Sequence, residues 1–147
     1  MSDRAPDTAA LLDQLGDLLR QLTRLAGGAD DGPAMTASQR IALVEIGQEG
    51  PLRLSDLARR MGTSTPTASR AVDALEGLGL VTRATEPADR RALSLELSPA
   101  GRTLFDERKA RAAEAFRPAT AALDAPERRE LLALLRRMTD ALRNADS

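Results

Sequence analysis

The sequence predicts a mainly α chain with one small β-hairpin, an α+β fold. Three observations carry that expectation. Apolar residues recur at spacings of three and four in stretches at both ends and in the middle of the chain. Between Leu80 and Leu97 the period changes to two on either side of a polar turn. Capping residues, prolines and glycines stand where the helical stretches should start or stop.

The first helix carries Leu11, Leu12, Leu15, Leu18, Leu19, Leu22 and Leu25, and Gly27 and Gly28 end it ahead of a loop reaching Pro33. Thr36 and Gln39 form a capping box for a second helix, whose apolar positions include Ile41, Val44 and Ile46 and which Gly50-Pro51 stops. Leu52-Arg53-Leu54 is a short extended segment. Ser55 to Met61 is a two-turn helix, with Gly62 placed to adopt the left-handed conformation after it. Ser64 caps the next helix, Pro66 sits in its first turn, and Ala68, Val72, Leu75 and Leu78 form its inward line. Two helices joined by a short turn make a helix-turn-helix. Leu80 to Thr85, the turn Glu86-Pro87-Ala88-Asp89, and the alternating Leu93, Leu95 and Leu97 then make a hairpin, which is a wing. Leu52-Arg53-Leu54 is placed to complete a three-stranded sheet with it. Ser98-Pro99 opens a long helix that Pro118 should end or kink. Asp124 and Glu127 start a last helix, with Leu131, Leu135, Met138 and Leu142 at heptad-like spacing.

Composition excludes more than it suggests. The 147 residues include no Cys, His, Trp or Tyr, and only Phe105 and Phe116 are aromatic. Disulfides, thiol redox sensing and thiolate or imidazole metal sites are therefore excluded, along with the commonest general base. No cofactor is expected. Net charge is −1, but residues 1–52 hold four Arg against eight acids while residues 53–102 hold eight Arg against six acids. The middle of the chain is modestly basic, as a nucleic-acid contact needs. No apolar run reaches a membrane span, and the first residues hold no apolar segment resembling a signal peptide, so a cytoplasmic protein with no membrane partner is expected.

The runs Leu57-Ala58-Arg59-Arg60-Met61, Thr65-Pro66-Thr67-Ala68-Ser69-Arg70-Ala71-Val72-Asp73-Ala74-Leu75-Glu76 and Gly79-Leu80-Val81-Thr82-Arg83 together resemble the core of the MarR (multiple antibiotic resistance regulator) family. So do Asp89-Arg90-Arg91 and Leu95-Glu96-Leu97-Ser98-Pro99-Ala100-Gly101, and the resemblance extends over about residues 8–144. It implies one domain over 1–147: a winged helix-turn-helix at 34–97, flanked by a helical dimerisation region made of 8–27 and 98–144. It also implies a bacterial transcription regulator, a homodimer that represses by covering a pseudopalindromic operator in double-stranded DNA.

A recognition helix presents its N-terminal residues to base edges in the major groove. In this chain these are Ser64, Thr65, Pro66, Thr67, Ser69 and Arg70. Pro66 and the Thr67 methyl suit a thymine methyl, and Arg70 suits a guanine, a phosphate, or an ion pair with Asp73 or Glu76. Thr65 and Ser69 equally suit capping and solvation. In the wing the family pattern makes Arg91 the minor-groove residue, Asp89 its orienter and Arg90 a phosphate contact, the alternative being that Asp89 and Arg91 only brace the hairpin. Ser38, Gln39, Arg40, Arg59, Arg60 and Arg83 are candidate phosphate contacts. The seams Leu11, Leu15, Leu18 and Leu22, and Leu131, Leu135, Met138 and Leu142, lie at opposite ends of the chain around a complete small module, so a twofold partner is expected to bury them. Many members of the family answer to small phenolic or anionic molecules, and a small-molecule effector is a candidate partner here. Two other readings are a winged helix used only for protein contacts and an enzyme built on Asp30 and Asp31. These acids sit in a Gly/Pro loop with no basic or nucleophilic partner, and no enzyme is expected.

Overall fold

The computed structural model describes residues 7–26, 32–86, 88–89 and 91–145. Gly27, Gly28, Asp30, Asp31, Pro87 and Arg90, named above, lie outside the described residues. The elements are α1 (Thr8–Ala26), α2 (Ala37–Glu49), β1 (Leu52–Arg53), α3 (Leu54–Arg60), α4 (Thr65–Gly77), β2 (Val81–Thr85), β3 (Leu93–Leu97), α5 (Pro99–Ala121) and α6 (Ala125–Ala145). The chain is mainly helical with a small antiparallel sheet of order β1-β3-β2. Residues 29–110 form one compact unit, and residues 1–28 with 111–147 form a second.

In the first unit the local signals act as expected. The Thr36 amide donates to Gln39 Oε1 at 3.0 Å and the Gln39 amide to Thr36 Oγ1 at 3.3 Å, closing the capping box of α2. Helices α3 and α4 end in the same way. Gly62 (φ +62°) and Gly79 (φ +72°) take the left-handed conformation. The following amides reach back, Thr63 N–H to Ala58 O at 3.0 Å and Leu80 N–H to Leu75 O at 2.9 Å. The second closure turns the chain so that Leu75 and Leu80 both enter the core.

That core joins Leu43 and Ile46 of α2, Leu57 of α3, Val72 and Leu75 of α4 and Leu95 of β3, with Leu52, Leu80, Val81 and Leu104 around them. Two apolar assignments are corrected here. On α2 the inward residues are Ala42, Leu43 and Ile46, whereas Ile41 and Val44 are exposed. At 100° per residue, positions 44 and 46 lie nearly opposite each other, so one face cannot hold both. Leu78 is the C-cap residue of α4 and is exposed, because the core line passes from Leu75 directly to Leu80.

In the sheet, Leu52 opposes Leu95 and Arg53 opposes Ser94, while Val81 through Thr85 pair with Leu97 through Leu93. The third strand is thus formed as expected, although Leu54 already belongs to α3. The leucine alternation of β3 is only partly buried. Leu95 is inside, but Leu93 is exposed, since it pairs with Thr85 beyond the end of β1 and has no layer beneath it. Ser94, on the other face, is buried and its hydroxyl donates to Ala84 O at 3.4 Å.

Helix α5 is docked by its first turn. Ser98 N–H donates to Leu80 O at 2.9 Å, the Ser98 hydroxyl donates to Gly79 O at 2.5 Å, and the same hydroxyl accepts Gly101 N–H at 3.0 Å. Gly101 lies against the Leu80 carbonyl, and Gly47 lies against the ring of Phe105. Arg102 adds a bond to Gly47 O at 3.0 Å and stacks over the Phe105 ring.

The second unit holds α1, the later half of α5, and α6. Pro118 does not end α5, which runs on to Ala121. A proline inside a helix loses its own N–H bond and crowds the fourth preceding carbonyl, yet α5 continues for three residues beyond it. Asp124 and Glu127 bond reciprocally through amide and carboxylate, both at 2.8 Å, and start α6. Among the described residues of this unit not one is buried. The leucines of α1 and α6 are exposed, Leu142 at 69%, except Leu22, which is half-buried.

Candidate nucleic-acid interface

Ser64, in an extended conformation, caps α4 by accepting the Thr67 amide at 3.3 Å. Its hydroxyl also lies 2.9 Å from the Thr67 hydroxyl, so these two groups satisfy each other. Ala68, Ala71, Val72 and Leu75 hold the inner face of α4. The outer face then presents Thr65, Pro66 and Arg70 fully and Ser69 in part. A helix N-terminus carrying hydroxyls and one guanidinium offers donors to base edges and a favourable field for a phosphate.

The acids that were candidate partners of Arg70 are taken by another residue. Arg83 of β2 bonds Asp73 at 2.6 Å and Glu76 at 3.1 Å. Among the described residues no carboxylate pairs with Arg70. Other basic groups selected from the sequence are also engaged. Arg59 pairs with Asp56, Arg60 lies 3.7 Å from Glu45 and 3.5 Å from Glu49, and Arg40 bonds Met35 O at 3.0 Å. Gln39 is held in its capping box, and Ser38 beside it is half-buried.

The wing is closed at its base by Glu86 N–H donating to Ala92 O at 3.0 Å. Within it Ala92 N–H donates to Asp89 O, and Asp89 Oδ1 accepts the Arg91 amide, each at 3.0 Å. Asp89 therefore sets the backbone at Arg91, leaving the Arg91 side chain exposed and with no carboxylate partner among the described residues.

Two residues that sequence reasoning passed over complete the wing. Arg53 on β1 holds Glu86 with a two-point ion pair, Nε to Oε1 at 2.9 Å and Nη2 to Oε2 at 2.6 Å. They stand 33 residues apart, so no local pattern signals the pair. The hydrogen bond from Arg53 holds the Glu86 carboxyl below its ordinary value against a smaller opposing effect of burial. The same bond and the charge of Glu86 raise the Arg53 guanidinium, with Asp89 and Asp56 adding to the effect.

Because folding lowers the Glu86 pKa, the tie contributes fully above the unfolded carboxyl value of about 4.3 and is lost as pH falls through the lower folded value. The Glu86 carboxyl-carbon resonance should thus titrate with a midpoint below about 4.3. A midpoint at or above that value would show that the pair does not persist in solution.

The sequence and fold of this winged helix-turn-helix match those of known regulators. The MarR family's sequence profile matches residues 35–93. A probable transcriptional regulator from Pseudomonas aeruginosa, known as a crystal structure, is 36% identical over 87% of this chain and 98% of its own, with a TM-score of 0.57. The chain belongs to the MarR family. It is also 29% identical, over 99% of both chains, to the HTH-type transcriptional repressor NicR of Pseudomonas putida. BpsR of Bordetella bronchiseptica, whose DNA binding is regulated by 6-hydroxynicotinic acid, is 27% identical over 86% of this chain and 98% of its own, with a TM-score of 0.57. This MarR-family chain is a transcriptional regulator, and the relatives it resembles are regulators rather than enzymes. Among the described residues no helix is long and apolar enough to cross a membrane.

Proposed function

We propose that this regulator is a homodimeric repressor that reads a pseudopalindromic operator in the cytoplasm, where its DNA lies, and is not an enzyme. The observation that carries the DNA reading is the choice of arginines. Arg59, Arg60 and Arg83 are spent on carboxylates, while Arg70 at the recognition helix and Arg91 at the wing pair with none among the described residues. A guanidinium left open is available to a guanine edge or to the narrow minor groove. In this reading residues 34–97 bind DNA, with Ser64, Thr65, Pro66, Thr67, Ser69 and Arg70 in the major groove, Asp89, Arg90 and Arg91 at the wing, and Ser38, Gln39 and Arg40 near phosphates. Residues 8–27 and 98–144 dimerise. Support for the dimer is the second unit, whose leucines find no buried place within one chain. A twofold partner supplies the missing layer.

Selection of duplexes from a random pool tests the reading. An enriched pseudopalindrome with half-sites about 10 base pairs apart is expected, and binding without enrichment, controlled by salt alone, would favour a module for protein contacts. Arg70→Ala should weaken binding to the enriched duplex by about 1–3 kcal/mol and relax preference at one position of each half-site. Uniform weakening, with the salt slope reduced by about one and preference intact, would make Arg70 a phosphate contact instead. The regulation of BpsR supports a small anionic effector that releases the dimer from DNA, tested by adding 6-hydroxynicotinate to the complex.

A further inference from the structure

We propose that Arg53 and Glu86 are positioning residues for DNA binding: an ionic strut that crosses the central strand and aims the wing. The hairpin β2–β3 outreaches β1, which pairs only at Leu52 with Leu95 and Arg53 with Ser94. Beyond those rungs lie Ala92, Glu86 and the turn carrying Arg91, built from two strands alone. Two-stranded ribbons are marginal in water and twist more than wider sheets. Arg53 occupies the last rung of β1, and Glu86 the first residue after β2, on the far side of β3. Their two-point bond therefore spans β3 and reaches the overhanging part, where Glu86 also makes the base rung to Ala92. Beneath the span Ser94 is buried, whereas Glu96 and Ala84 on the same face are exposed, as a covering pair over Ser94 requires. A guanidinium fork fixes direction as well as distance, which a single-point contact does not.

The inference rests on the reading of the wing as a DNA contact, and it has a counterintuitive consequence. Glu86 is an acid near DNA, so Coulomb repulsion alone predicts that Glu86→Ala tightens binding. The strut predicts the reverse. Hydrogen exchange of the free Glu86→Ala protein should speed up at the amides of Arg91, Ala92 and Leu93 while those of Leu43 and Leu75 stay unchanged. Affinity for the duplex enriched from the random pool should fall about threefold, the scale of an exposed ion pair. Arg53→Lys, which keeps the charge and loses the fork, should do the same. The exchanged pair, Arg53→Glu with Glu86→Arg, should restore slow exchange in the wing.

Wing exchange unchanged in Glu86→Ala would overturn the strut. So would equal or tighter binding by Glu86→Ala where Arg91→Ala weakens it, because the wing would then matter without needing the tie. An Arg91→Ala protein that binds as well as the parent would instead sink the reading of the wing as a DNA contact, whatever the exchange data show.

Discussion

Replacing Leu135 by arginine is expected to turn a dimer into a monomer and to remove operator binding. Leu135 lies on α6, where among the described residues no side chain is buried. It shares a face with Leu131, Met138 and Leu142, spaced four, three and four residues apart. Each leucine removed from water stabilises by about 1.5–3 kcal/mol. In the proposed dimer a seam of four on α6 and another four on α1, doubled by symmetry, supplies most of what this unit has to oppose its ordering entropy. An unpaired guanidinium placed in such a seam costs several kcal/mol. A monomer offers one recognition helix, and affinity for a pseudopalindrome should drop by about a hundredfold or more, the scale on which linked binding sites reinforce each other. Sedimentation and titration of the enriched duplex read both effects. For the parent protein, the melting temperature should rise with protein concentration. A Leu135→Arg protein that still sediments as a dimer would exclude this face of α6 from the interface.

Gly101→Ala should be the most damaging single methyl in the winged unit. A Cβ at position 101 would stand 1.9 Å from the Leu80 carbonyl oxygen, a backbone atom that cannot turn aside. That oxygen already accepts Ser98 N–H, and the neighbouring Gly79 oxygen accepts the Ser98 hydroxyl, so the α5 start and the α4 exit are pinned together. Relief requires lifting α5, which withdraws Leu104 and Phe105 from their buried positions. Overpacking of this kind costs about 3 kcal/mol at the upper end of its usual range, readable as a lower urea midpoint. Gly77→Ala is the control. It sits at the end of α4 with nothing within 4 Å of a new Cβ, and should be neutral or stabilising by up to about 1 kcal/mol. Equal losses in both variants would refute the packing argument.

The features legible in the sequence share one property: their partners lie within a few residues. Thr36 with Gln39, Ser64 with Thr67, Ser98 with Gly101 and Asp124 with Glu127 all bond across three positions, so residue type and spacing suffice to foresee them. Gly62 likewise announces its left-handed turn because few other residues tolerate it. Such signals, with the change of period after Leu80, determined the order of elements and hence the winged helix-turn-helix.

What the sequence left open was decided by contacts between distant segments. Ile41 and Leu43 are equally apolar, and only the placement of α2 over α4 sends Leu43 inward and Ile41 outward. Spacing along the helix offers Asp73 and Glu76 to Arg70, but the hairpin's register gives both acids to Arg83. Arg53 and Glu86 meet only because β3 inserts between β1 and β2. Local bonds depend on backbone geometry that every helix shares, whereas the direction of a side chain across elements depends on how the whole core packs. The sequence by itself therefore determined which elements form and in what order, and the tertiary structure alone decided which faces are buried and which arginines pair with carboxylates.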